Sequence, residues 1–364
     1  MVRFPQSRGA AEGRLRGGGP ASTLEPDLGN SSEGRRISRI SELALIERIA
    51  ARSATRAGTE LGIGDDAALI AVGGQAVVTH DMLVEAVHFR RSTTGLRDLG
   101  HKALAVNLSD VAAMGAEPVA ALVGLGLPAD LDADDVDELY EGIERLAGRW
   151  GVTVAGGDVT AAPVLVLAVT AVGRPWPGVA PLGRAGGRAG DLLCVTGRLG
   201  AAAAGLAILE EPGLAAAVAD AGSLRAAHRA PEPRIAAGRA LAAGGAHAML
   251  DLSDGLALDA RRLAGAAGLR ARIDLDAVPL APGVEAVAAA RDDDPRILAA
   301  TGGEDYELLA AVPARLLPAL REELDVPLTP VGRLEEGDPA LVAVDRAGRI
   351  VPLARLGWEH GARA

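Results

Sequence analysis

The chain has 364 residues, 49% apolar and 23% charged, with a formal charge of −11 at pH 7. That length and balance suit two ordinary globular domains, and the acidity argues against a nucleic-acid binder, which presents a basic face. The lone cysteine, Cys194, excludes an internal disulfide and a Cys-rich zinc site. No apolar run reaches the ~18–20 residues of a membrane helix, and the N-terminus lacks the apolar core of a signal peptide, so a cytoplasmic location is expected.

Residues 1–37 carry Gly, Pro, Ser and Arg without periodicity and are expected to form a disordered extension. From residue 38 the pattern changes. Ser41 before ELALIERIA reads as a capped helix, GIGDDAALI as a Gly-rich loop entering a short strand, and AVVTHD as a strand ending in polar side chains. A helix is expected from Asp98 to Met114, with a buried strand over 118–127. Val136, Leu139, Ile143, Leu146 and Trp150 have helical spacing, with Gly151 as the stop. VTVA then runs into GGD, and residues 164–172 read as another buried strand.

The Pro-rich stretch RPWPGVAPLGR is the natural linker, which divides the chain into residues 38–174, a linker at 175–187 and a second half at 188–364. In that half DLLCVTG reads as a strand, followed by a helix from Gly200 and a long Ala-rich helical region ending at Gly244. HAMLDLSDG reads as a strand and Leu256 opens a helix. ARIDL, YELLAAV and a closing hairpin in LVAVDRAGRIVPL supply further strands. The expected fold class is α/β (or α+β), with two α/β halves of comparable size.

One local design recurs. A strand or Gly turn meets one or two acids at Asp65-Asp66, Asp81, Asp158, Asp251, Asp254 and Glu304-Asp305. Asp110 adds a carboxylate on the same helix face as Asn107. Singly, each is most simply a turn residue or helix cap. Together, buried acids repel unless cations lie between them, and hard oxygen ligands with few histidines suit Mg2+ or Mn2+ better than zinc. The chain has no P-loop, no zincin motif and no nucleophile elbow. Cys194, in an apolar strand, reads as core.

In order and spacing, GIGDDAALI, VVTHDMLVEAVHF, HKALAVNLSDVAAMGAEP, VAGGDVT, LDLSDGL and ATGGEDYELL resemble the thiamine-monophosphate kinase family, of the aminoimidazole-ribonucleotide synthetase-like type. The resemblance runs from residue 38 to the end. It implies two such domains, the first pairing with its copy in a homodimer, and phosphorylation of thiamine monophosphate by ATP with several Mg2+ ions. By motif, it implies Mg2+ at or near Asp66, Thr79, His80, Asp81, Asp110, Asp158, Asp251 and Asp254, with Asp110 and Asp254 catalytic. It implies ATP contacts from Tyr140, Gly157, Asp158, Arg184 and Ser253, and substrate contacts from His88, Glu304 and Trp358. THD stands where the family usually reads S-T-D, so His80 replaces a hydroxyl residue. Two alternatives stay open. One is another ATP-using branch of the superfamily, although the Cys expected in the selenophosphate or hydrogenase-maturation branch is missing. The other is a non-catalytic nucleotide or metal sensor.

Overall fold

The computed structural model describes residues 42–358, except 55, 58, 62 and 64–68, and only the backbone of 42–44, 60, 61 and 69. The extension expected over 1–37, and Asp65-Asp66, lie outside the described residues.

The first half contains α1 (Glu42–Arg52), β1 (Thr59–Leu61), β2 (Leu69–Ile70), β3 (Val77–Val84), α2 (Leu96–Ala113), β4 (Ala116–Leu127), α3 (Ala133–Trp150), β5 (Thr153–Ala161) and β6 (Val166–Pro175). Strands β3, β6, β4 and β5 form one sheet in that order; only β4 and β5 run parallel. Helix α2 lies across one face and is buried almost throughout, which explains its run of Ala, Val and Leu. Helix α3 packs on α2 through Val136, Leu139, Ile143 and Leu146. Asp132 and Asp135 form a capping box at its start, and Gly151, at φ +69°, ends it as expected.

The second half contains β7 (Leu192–Thr196), α4 (Ala201–Glu210), α5 (Ala221–Arg229), α6 (Ile235–Ala243), β8 (Ala248–Asp251), α7 (Leu256–Ala266), β9 (Arg270–Asp274), α8 (Val284–Ala290), α9 (Pro295–Thr301), β10 (Leu308–Val312), α10 (Leu317–Glu323), β11 (Leu328–Glu335) and β12 (Ala340–Val344). Its six-stranded sheet has the order β12-β9-β11-β7-β10-β8, antiparallel except between β12 and β9.

Four sequence expectations change. The strand expected to stop at Asp81 continues to Val84, because β3 pairs with β6 over all eight residues. Asp158 likewise sits inside β5, not beyond its end. The helix expected from Gly200 is α4, but the Ala-rich region after it breaks into a 3-10 turn, α5 and α6, with Pro212, Pro231 and Pro233 at the breaks. Strand β11 was not anticipated, because Pro330 within an apolar run argues against a central strand. The chain accommodates it with a register shift between Pro330 and Gly332.

The stretch after β6 is anchored to both halves. Leu182 donates its N–H to Met114 at 3.0 Å, Gly183 accepts from Met249 at 3.4 Å, and Trp176 lies 4.5 Å under the Arg239 guanidinium. Helix α2 also packs on β8, α5 and α6, so one helix serves both halves.

Candidate functional site

The carboxylates meet where α2 lies between the two sheets. Alternation along β3 turns Thr79 and Asp81 toward α2. The Thr79 hydroxyl donates to Asp110 Oδ2 at 2.5 Å, and the Asp81 backbone N–H donates to Asn107 Oδ1 at 3.1 Å. Asn107 is buried and held by its own bond to the Ala103 carbonyl. From the second half comes Asp251, the buried last residue of β8, which accepts the Ser109 hydroxyl at 2.7 Å. Burial raises the pKa of Asp81, and the Asp110 charge adds to that. Asp251 is raised in the same way, by burial first and then by Asp110, despite the Ser109 bond. The phenol of Tyr306 is raised by burial and then by the charges of Glu304, Asp251, Asp81 and Asp110.

A second group stands on the loop after β8. Asp254 is ion-paired with Arg262, which also reaches Asp259 at 2.8 Å. The Asp259 carboxylate accepts the N–H groups of Asp254 and Gly255, both at 3.1 Å, and fixes the turn. The loop before β10 lies directly on this turn. Glu304 donates its N–H to the Ser253 carbonyl at 2.7 Å, and a Cβ on Gly303 would lie 2.6 Å from that same oxygen, so the approach needs glycine. Trp358, 54% exposed, donates its backbone N–H to the Asp254 carbonyl at 3.0 Å, which lays the C-terminal segment over the loop.

Glu304 itself is paired with Lys102 at 2.8 Å and His228 at 2.9 Å. Burial pushes its carboxyl up, but Lys102 and His228 outweigh that and hold it at about 2. Asp305, next to it, turns away. Its carboxylate accepts from Gly200 N (2.8 Å) and Ala202 N (3.3 Å) at the start of α4, and burial raises it to about 7. Two acids adjacent in sequence therefore differ completely, one pair-held and ionised, the other a buried helix cap.

Several expected site residues stand elsewhere. The imidazole of His80 is on the opposite face of β3 from Asp81, where Nδ1 contacts Thr170 Oγ1 at 2.8 Å; strand alternation keeps it out of the carboxylate group. Asp158 is exposed on edge strand β5, and its carboxylate accepts the N–H of Val159. Asp81 pairs with Val169, Val169 with Val123, and Val123 with Gly157. Three spacings of ~4.8 Å put Gly157 roughly 14 Å from Asp81, and Asp158 is its neighbour. A Cβ on Gly157 would fall 1.8 Å from the Val123 carbonyl oxygen, so this glycine serves strand pairing. Tyr140 is buried in α3 within the apolar core, where its ring cannot reach a nucleotide without unpacking the helix. Arg184 is exposed in a 3-10 turn between the halves. His88, in the turn after β3, accepts the Val84 N–H on Nδ1 at 3.0 Å.

Lys102 is the single lysine of the sequence, which marks the residue without giving it a role. His228, Tyr306, Asp259 and Arg262 had no such signal, because each acquires meaning only through a neighbour distant in sequence. Among the described residues, no three His, Cys, Asp or Glu side chains form a ready metal cage. The donor set nonetheless suits a hard divalent cation. Asp81, Asp110 and Asp251 are crowded acids whose repulsion a cation relieves, and Thr79 adds a hydroxyl oxygen. The arrangement can gather positive charge among half-buried carboxylates and present it to an anionic ligand.

Two family models match the chain, "AIR synthase related protein, N-terminal domain" over residues 64–174 and the corresponding C-terminal domain over 188–343. The chain is 39% identical over 319 residues to a thiamine-monophosphate kinase of Mycobacterium tuberculosis, covering 86% of this chain and 91% of that one. It is 34% identical over 332 residues to the Bacillus subtilis counterpart, covering 88% and 99%. It superimposes on the crystal structure of thiamine-monophosphate kinase from Stenotrophomonas maltophilia K279a with a TM-score of 0.73, at 38% identity, covering 86% of this chain and 98% of that one. A structure described as AaThiL complexed with AMPPCP and TMP aligns with a TM-score of 0.68, at 30% identity, over 90% and 100% of the two chains.

Proposed function

The chain belongs to the AIR synthase-related family and within it to the thiamine-monophosphate kinases, and on that premise we propose that α2 carries its phosphoryl-transfer site. The reaction is ATP plus thiamine monophosphate to ADP plus thiamine diphosphate. The observation that carries this reading is the meeting of Asp81, Asp110 and Asp251 around α2, drawn from both halves.

The acceptor is a phosphate monoester whose second pKa is near 6, so its attacking oxygen is already largely anionic at pH 7. A general base is not needed. What remains is to align two anionic groups and offset their repulsion. Asp81, Asp110 and Asp251, with Thr79, would hold Mg2+, and Mg2+ there would supply charge neutralisation to the phosphate oxygens. Asp254 stands on the adjoining loop, and its pairing with Arg262 orients its carboxylate. His80 would offer no side-chain ligand. Asp66 completes the proposed metal set by motif, outside the described residues.

Gly157, Asp158, Arg184 and Ser253 are proposed to contact ATP, with Tyr140 left out because it is enclosed in the core. His88, Glu304 and Trp358 are proposed to face the thiamine phosphate. The half-exposed indole is suited to a thiazolium-type cation. We further propose domains at 38–174 and 188–364 joined by 175–187, a cytoplasmic location and a homodimer. Val78 (61% exposed) and Met82 (50%) on β3, facing away from α2, support the homodimer, since a second copy would cover that face.

Incubation of purified protein with ATP, Mg2+ and thiamine monophosphate is expected to yield thiamine diphosphate and ADP. ADP formed only with another acceptor, or none at all, would overturn the assignment.

A further inference from the structure

Lys102 is the sole lysine of the chain, and its side chain on α2 is 1% exposed. An ammonium so placed is costly unless each of its protons and its charge is answered. Its Nζ donates to the His228 carbonyl at 3.0 Å and lies 2.8 Å from Glu304 Oε1. His228 Nδ1 lies 2.9 Å from Glu304 Oε2, off the line of a good hydrogen bond. One carboxylate is thus gripped at both oxygens. One grip comes from the first half of the chain and the other from α5 of the second.

The backbone repeats the constraint. Glu304 has φ +67° and Tyr306 has φ +49°, conformations uncommon in side-chain-bearing residues. The Glu304 N–H is tied to Ser253, Asp305 caps α4, and Glu307 is held by Arg234 and Thr196. The loop is therefore pinned on both sides of Glu304. Yet the Glu304 side chain remains 28% exposed while Lys102 behind it is closed off. A pair serving packing alone has no need of a strained backbone that leaves the acid open.

We propose that Lys102 and His228 are positioning residues that hold Glu304 as an oriented anion toward the cationic ring system of thiamine monophosphate, neither of them touching the acceptor. This rests on the functional reading above. Lys102 and His228 act through Glu304, and the side chains proposed above to contact ATP do not bond to either of them.

Steady-state kinetics on the full chain test this with a double-mutant cycle. Lys102→Met and Glu304→Gln are each expected to raise the KM for thiamine monophosphate about tenfold or more, with the KM for ATP held within about twofold. The double variant should match the more affected single, because the second change removes nothing further. Equal shifts in both KM values, no shift, or a double variant at the product of the singles would overturn the proposal. If Lys102→Met does not fold, the same cycle with His228→Leu decides by the same criteria, since that change leaves the Lys102 ion pair in place. Wild-type protein that makes no thiamine diphosphate would defeat the functional reading and this inference with it. Normal wild-type turnover with a multiplicative cycle would defeat this inference alone.

Discussion

Ser109 on α2 donates its hydroxyl to Asp251 at the end of β8, 2.7 Å away, and both side chains are buried. The two residues are 142 positions apart and come from different halves of the chain. This bond places a carboxylate of the second half beside Asp110, one turn of a single helix away from its neighbours in the first.

Ser109→Ala should therefore be felt in stability as well as at the site. It leaves a buried carboxyl group without its donor, which costs about 1–3 kcal/mol. Urea unfolding is the measurement, with the midpoint expected to fall at unchanged slope. A midpoint within error of wild type would mean that the bond contributes nothing to joining the halves.

Asp110→Asn separates the two roles of the crowded carboxylates. Turnover should fall on the order of 10²-fold or more, because the proposed cation loses a charged ligand among anionic substrates. Stability in EDTA should not fall, since the Asp110 charge raises both Asp81 and Asp251 and its removal relieves that repulsion. Near-normal turnover in this variant would remove Asp110 from the machinery.

Glu304 and Asp305 should respond to pH in opposite senses. Glu304 is lowered from 4.5 to about 2. Between those values the unfolded chain binds the extra proton, so this contribution is present above about 4.5 and lost as pH falls toward 2; it is on the order of 3 kcal/mol. Asp305 is raised from 3.8 to about 7 by burial. There the folded chain binds the extra proton, so its contribution is present below about 4 and lost as pH rises toward 7. Stability curves against pH should lose their acid limb in Glu304→Gln and their neutral-side decline in Asp305→Asn. Curves parallel to wild type would show that the two groups do not titrate in this way.

Val78→Glu should split a homodimer if the outer face of β3 is its interface. The position is open in one chain, so a charge costs little there, but it would be desolvated between two copies. Sedimentation velocity should show the wild type as dimer and the variant shifted toward monomer. A monomeric wild type, or a dimer untouched by the change, would exclude this face.

Much of the chain's local structure was readable along its sequence. Helix α3 carries its periodicity, capping acids and terminal glycine in consecutive residues, and β4 and β7 announce themselves as apolar runs. The family was legible too, because strings such as GGEDYEL and KALAVNLSDVAAMGA are too long for chance to assemble together. Strand β11 was hidden by Pro330, whose missing N–H is tolerated only because of a register shift that sequence does not display.

The tertiary structure alone decided which acids meet. The sequence placed Asp81, Asp158, Asp251 and Glu304-Asp305 in one recurring design, yet pairing carries Asp158 away along an edge strand and alternation turns His80 to the opposite face. It also decided that Glu304 is an ionised carboxylate gripped by the closed-off Lys102, while Asp305 caps a helix. The physical reason is that local pattern follows from the chemistry of neighbouring residues, whereas charge state follows from burial and from partners more than a hundred positions away.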